Sequence, residues 1–344
     1  MQSGKRHLAI LTLLLLGIAG FAASVMAADS VYRLSMGIAA SEDSLYGKAA
    51  AAFAKRVEET AEGQIQVEVV YLTQPNAERD LYARITRDRI DIACLEPWAM
   101  AVQQPRLGLL AQPFLFPWPY QPRALYRGDG GKRVNELFAP GSADVVRWIE
   151  GSPALILAEK TLVQPEDMEG LRIGIANLPP DRLRAMSNAF DSLKATLVPL
   201  NNDPRQIAAA LQGGVIDSLH KTPAEALAMV DQLPEAMRSG TFVLDEIPYL
   251  AVCVSKATLD KLPEELRDTF LNGLDLASTE ASSVIIQANT EAESQLAAMG
   301  FAIESADTGK LSELVLQSPD PSTMGTDGQL QELVLDAKKP LAIR

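Results

Sequence analysis

Strand and helix signatures alternate along this chain, stop near its middle and begin again. That rhythm confines it to an α/β architecture built twice. Residues 31–38 read as a strand, and a helix follows through Lys48, Phe53 and Val57 with Gly63 near its exit. Ile65, Val67, Val69 and Tyr71 then alternate with Gln66 and Glu68, as one strand with two unlike faces does. Residues 77–87 read as a helix leading into Ile90-Asp91-Ile92-Ala93-Cys94. The order predicts a parallel sheet covered on both faces. Past Gly151 the pattern restarts: a short helix at 165–168, a strand at 171–175, a helix at 179–190, a strand at 196–200 and a helix at 203–212 closed by Gly213-Gly214. This predicts a second α/β lobe. Residues 249–255 form a further strand, and Pro263 with Glu264 and Glu265 opens a long helix towards Met299 that can brace both lobes. The Gly-, Ser-, Pro- and Asp-rich stretch from Ala306 to Leu330 reads as irregular.

Ahead of the first strand, Lys5 and Arg6 precede an apolar run from Leu8 to Ala27, with Val25 and Ala27 as the small residues before a cleavage point. That order predicts a secretory signal peptide over 1–27; a retained membrane anchor is the alternative for so apolar a run. Cutting after Ala27 removes 27 of the 344 residues and leaves 317, a length that usually divides into two domains. No later segment is apolar enough to span a bilayer, so the mature chain is expected to be exported and not membrane-spanning. The net charge of −13 falls to −15 once Lys5 and Arg6 are lost, which disfavours nucleic acid and anionic membrane as partners. Cys94 and Cys253 sit in separate strand-like stretches and are expected as two buried thiols. Two cysteines and His220, the one histidine left after cleavage, are too few for a structural metal site. The run Pro113-Phe114-Leu115-Phe116-Pro117-Trp118-Pro119-Tyr120 cannot continue a helix; it reads as a rigid packed loop, with a ligand-facing wall as the other reading.

Catalytic signatures are missing. The sequence holds no Gly-x-Ser-x-Gly elbow, no phosphate loop and no His-Glu-x-x-His helix. Gly213-Gly214 follows a helix and precedes a strand, the reverse of a dinucleotide-binding turn. The expectation is a chain with no enzymatic activity and no cofactor.

Several segments together carry a more specific likeness: Phe53-Ala54-Lys55-Arg56-Val57-Glu58 with Glu62-Gly63, Glu78-Arg79-Asp80 before Asp91-Ile92, Pro113-Phe114-Leu115-Phe116, and Pro165-Glu166-Asp167-Met168-Glu169-Gly170-Leu171-Arg172-Ile173. Ala210-Leu211-Gln212-Gly213-Gly214-Val215-Ile216-Asp217 and Leu262-Pro263-Glu264-Glu265-Leu266 complete the series. In this order they resemble the solute-binding receptors of tripartite ATP-independent periplasmic (TRAP) transporters, the DctP family. The resemblance implies a two-lobed periplasmic clamp with strands exchanged between lobes and a long bridging helix. It also implies delivery of a small solute, chiefly organic acids, to membrane permease subunits driven by an ion gradient. On that likeness lobe one comprises 28–150 and 247–286, and lobe two 151–246 and 287–344.

The chain departs from the family where the ligand is usually held. Many relatives grip a carboxylate with an arginine two positions beyond the residue matching Arg172; here that position is Gly174. A second frequent arginine is missing near Gly151, and a common asparagine is replaced by Lys221 beside His220. Neither glycine nor one ammonium reproduces a guanidinium fork. Three solutions stay open: Lys221 supplies the positive contact, the solute is neutral, or a cation bridges it to acidic residues. The candidate ligand-binding residues are Glu78, Arg79, Trp98, Arg147, Glu150, Gly174, Asn177, His220, Lys221 and Tyr249. Glu78 with Arg79 also fits an exposed helical pair, Arg147 with Glu150 a surface pair, and His220 a loop-ordering role. A periplasmic sensor using the same clamp is the rival to a transport receptor.

Overall fold

The computed structural model describes residues 31–138, 142–176, 178–317 and 327–340; the predicted signal peptide and Asn177 lie outside them. The chain opens with β1 (Tyr32–Ile38), α1 (Leu45–Thr60), β2 (Ile65–Tyr71), α2 (Ala77–Ile85), β3 (Ile92–Leu95), α3 (Pro97–Gln103), α4 (Tyr120–Arg127), α5 (Asp129–Leu137) and β4 (Ala143–Glu150). It continues with β5 (Leu155–Ala158), β6 (Arg172–Ala176), α6 (Pro180–Ser192), β7 (Thr196–Leu200), α7 (Pro204–Gln212), β8 (Ser218–Lys221), α8 (Pro223–Ala228) and β9 (Ser239–Phe242). Then come β10 (Tyr249–Ser255), α9 (Lys256–Lys261), α10 (Glu264–Ala298), β11 (Ala302–Ser305), α11 (Thr308–Leu316) and α12 (Gly328–Ala337). Among the described residues no helix is long and apolar enough to cross a membrane.

Two sheets result. The five-stranded one runs β2-β1-β3-β10-β4 and the six-stranded one β11-β9-β5-β8-β6-β7. The first three strands are parallel, and β10, returning from the second lobe, pairs antiparallel with both β3 and β4. Reciprocally, β5 enters the second sheet straight after β4 and pairs antiparallel with β8 and β9. Each lobe is therefore completed by a strand that the other supplies through a short crossover. The crossovers are tied together: Gly151 N–H donates to the Pro248 carbonyl at 2.8 Å. A Cβ at Gly151 would fall 2.6 Å from the Tyr46 hydroxyl and 2.8 Å from Pro248 Cβ, so only glycine allows this approach.

Every residue of β10 is buried, which explains its continuous apolar run. The two cysteines show the sheet's two-sidedness. Cys94 pairs with Val252 and Cys253 with Ala93, so the thiols point to opposite faces and join different apolar clusters. Both are free and buried, as the sequence suggested, and burial pushes the Cys94 thiol up to about 12.

Helix α10 joins the lobes. Leu266, Phe270, Leu274, Ala277, Ala281 and Ile285 pack with α1 into the first core, whereas Leu296 belongs to a second-lobe core. At the change of partner, buried Asn289 accepts from Ala224 N–H at 3.1 Å. Gly273 lets α1 come close, since a Cβ there would meet Thr60 at 3.1 Å.

Two expectations need correcting. The tail is not wholly irregular: Asp307 caps α11 by accepting from Lys310 N–H, and Leu311 and Val315, one turn apart, bury in a second-lobe core. Nor does all of 287–344 belong to the second lobe. Helix α12 returns to the first, with Leu330 in its core and Asp327 ion-paired to Arg133 and Arg106, both at 2.6 Å. The Pro-aromatic run is packed over its first half, residues 113–116, while Trp118 is 50% exposed. Phe114, at φ +57°, lies edge-on to Phe190 in a second-lobe core, while Leu115 and Phe116 join a cluster with Tyr126 and Tyr249.

Candidate functional site

Strand ends and helix starts converge between the lobes. Glu96 follows the end of β3 and takes the N-cap position of α3 ahead of Pro97; Pro180 opens α6 and puts Asp181 and Arg182 in its first turn. β8 ends at Lys221, and Thr222 starts α8 through a reciprocal cap with Glu225. The crossover between β9 and β10 adds Asp245, Glu246 and Pro248. These residues, with Tyr46, Ser152 and His220, enclose an inner cavity of about 170 Å³. It adjoins a wider mouth of about 780 Å³, lined by Glu78, Arg79, Trp98, Asp181 and Asn202 among others, with Glu96 and Arg182 common to both. Polar groups converging where parallel strands end are the usual recognition point of α/β sheets.

Arg182 is the hub. Its guanidinium donates to Glu96, from the first lobe, and to Glu246, from the crossover. It also lies 5.5 Å from the ring centre of Trp98, whose Nε1 donates to the same Glu96 carboxylate. Glu78 sits behind, accepting from Glu96 N–H at 3.3 Å. Burial, and then the nearby Glu96 charge, push the Glu78 carboxyl well above the usual carboxylate range. Burial raises Glu246 as well, against the opposing pull of Arg182. On the other wall His220 Nε2 meets Asp245 Oδ2 at 2.9 Å. Burial opposes the charged imidazole, but Asp245, with Glu246 and Glu225 adding to it, outweighs burial and the His220 pKa ends above 6.5. Asp245 Oδ1 and Arg182 Nε are buried and have no hydrogen-bond partner among the described residues.

Lys221 is 3% exposed and lines the inner cavity. Among the described residues its hydrogen-bond partner is the neutral side-chain carbonyl of Asn202. A buried ammonium normally faces an anion, and this one has none from the protein within ion-pair distance among those residues.

The structure brings five of the sequence candidates, Glu78, Arg79, Trp98, His220 and Lys221, to the cleft. Arg79 spans it, pairing with Asp181 at 3.2 Å. Arg147 and Glu150 go elsewhere, to a groove of about 550 Å³ between β4, α4 and α10; Tyr249 borders that groove and also a pocket it shares with Glu96, Trp98, Arg182 and Asp245. In the groove Glu150 is held by two nitrogens of Arg123 and Arg147 meets Asp275 at 2.9 Å. Arg147 and Glu150 sit there because β4 is the edge strand of the first sheet, beside α4 and α10. Gly174 lines neither cleft cavity. A Cβ there would meet Ile216 at 2.6 Å and Leu200 at 2.9 Å, inside the second-lobe core. Arg182, Glu96, Asp245, Glu246 and Asn202 were not singled out from sequence. Arg182 had one faint signal, a cation two positions after the proline that opens a helix following a strand.

The chain matches the family model described as bacterial extracellular solute-binding protein, family 7 (DctP), over residues 36–318. A solute-binding protein of Chromohalobacter salexigens is 22% identical over 299 residues, covering 84% of each chain. The C4-dicarboxylate-binding periplasmic protein of Rhodobacter capsulatus is 28% identical over 252 residues, 70% of this chain and 68% of its own. A TRAP periplasmic solute-binding protein from Chromohalobacter salexigens, solved with bound D-glucuronate, superposes with a TM-score of 0.69 at 19% identity, covering 89% of this chain and 99% of that one.

Proposed function

The chain belongs to the bacterial extracellular solute-binding protein family 7, and from that premise we propose that it captures a small organic acid between its lobes in the periplasm and passes it to TRAP-type permease subunits. One observation carries the acid: the Lys221 ammonium, buried in the inner cavity against a neutral amide. A ligand carboxylate beside it supplies the missing counter-charge. Gly174, walled in by apolar side chains, leaves that task to the end of β8. The inner cavity is below the size range of drug-sized ligand pockets, so the solute is small. We assign residues 28–150 and 247–286, with α12, to the first lobe, and 151–246 and 287–317 to the second.

Calorimetry of the mature chain against short carboxylates tests this reading. Lys221→Met should weaken the best acid about a hundredfold, the scale of a desolvated charge pair losing one partner. Unchanged affinity would remove Lys221 from the site, and binding confined to neutral solutes would refute the acid.

A further inference from the structure

The inner cavity carries both signs of charge, and in unequal measure. Carboxylates of Glu96, Glu225, Asp245 and Glu246 line it beside the cations Arg182 and Lys221 and the imidazole of His220. Glu225 is occupied with the Thr222 backbone and hydroxyl, and Asp245 Oδ2 with His220. Glu96 and Glu246 share one guanidinium. Negative charge at this edge thus exceeds what the neighbouring side chains neutralise, and a second observation points the same way. Asp245 is 1% exposed, yet its Oδ1 accepts nothing among the described residues. A buried carboxylate oxygen without a donor is costly unless a ligand supplies one.

We propose that the solute carries an ammonium group as well as a carboxylate, with the carboxylate at Lys221 and the ammonium donating along the Asp245–Glu246–Glu96 edge. Glu96 belongs to the first lobe and Lys221 to the second, so such a molecule is held by its two ends across the cleft. An ammonium there supplies donors to oxygens that share too few, while a plain dicarboxylate sets a second negative charge among them. This inference rests on the acid-receptor reading and narrows it to small zwitterions.

The experiment is calorimetry of the mature protein with acids matched in skeleton and differing in one group: alanine and lactate, aspartate and malate, glutamate and 2-hydroxyglutarate, β-alanine and 3-hydroxypropionate. For the skeleton that fits, the amino form should bind about tenfold or more tighter than the hydroxy form, as one charge-assisted hydrogen bond provides. Glu246→Gln should shrink that ratio to under about threefold. If Glu246→Gln does not fold, Glu96→Gln reads the same ratio. A hydroxy acid or dicarboxylate binding as tightly as its amino counterpart overturns the ammonium site and leaves the acid receptor standing. Failure of every carboxylate to bind overturns both.

Discussion

His220 and Asp245 make the residue scale measurable. His220 is the one histidine of residues 28–344, so imidazole titration within them has a single source. Its pKa is raised in the folded state: burial works against the charge, and Asp245, together with Glu246 and Glu225, more than offsets this. The pair therefore stabilises the fold fully below 6.5, the ordinary value, and loses that contribution as pH rises through the higher folded value. Urea midpoints measured across that window should fall with rising pH, and His220→Gln should flatten the slope. Glu78 and Glu246, also raised, add a decline of the same sign that starts lower, above 4.5, and persists in the variant. An unaltered slope above 6.5 in His220→Gln would break the link to this pair.

At the scale of elements, α10 is the structural spine. Its 35 residues span roughly 50 Å at the usual rise per residue. Hydroxyls inside it are satisfied one turn back: Thr269 donates to Glu265, Thr279 to Asp275 and Ser294 to Thr290 carbonyls. Stability comes from its apolar face against α1, where Leu274 is fully buried. Leu274→Ala should cost about 3 kcal/mol, read as a lowered denaturant midpoint with an unchanged slope. A cost below about 1 kcal/mol would show that the interface collapses around the gap. The terminal helix α12 is fastened differently, by Asp327 lying 2.6 Å from both Arg133 and Arg106.

For the whole molecule, the question is what holds the lobes together across the cleft. Two contacts do so. Arg79–Asp181 is largely exposed, and a pair of that kind is worth about 0–1 kcal/mol. Arg182, with an 18% exposed side chain, grips Glu96 of the opposite lobe and Glu246 of the crossover. Removing it leaves two carboxylates facing each other, a penalty of about 3 kcal/mol on the closed form. Solute-free Arg182→Met should therefore scatter as a longer particle than the parent protein, while Arg79→Ala should not. Identical scattering curves for all three would assign closure to the crossovers instead. Those crossovers are stiffened by Phe114, whose backbone N–H donates to the Asp245 carbonyl at 2.7 Å.

Most of the architecture was legible along the chain because it follows from local periodicity. Alternation marks β2, Pro263 with two acidic residues marks the start of α10, and the restart past Gly151 marks a second lobe. Helix α12 was misplaced because its docking depends on Asp327 meeting Arg133, a residue 194 positions away. The site was half legible. Lys221 stood out by replacing an expected asparagine, with His220 beside it, Glu78 and Arg79 by lying in a segment that carries the family likeness, and Trp98 as an aromatic face. Arg147 and Glu150 looked equally eligible but lie on the edge strand β4 beside another groove, and buried Tyr249 borders both that groove and the pocket it shares with Arg182. Chemistry in this protein depends on which charges share a cavity. Glu96, Arg182 and Glu246 are separated by 86 and 64 residues, and only the folding of two lobes onto one cleft makes them a single electrostatic unit. Residue order thus determined the two lobes and the spine between them, whereas three-dimensional juxtaposition decided which side chains meet the solute.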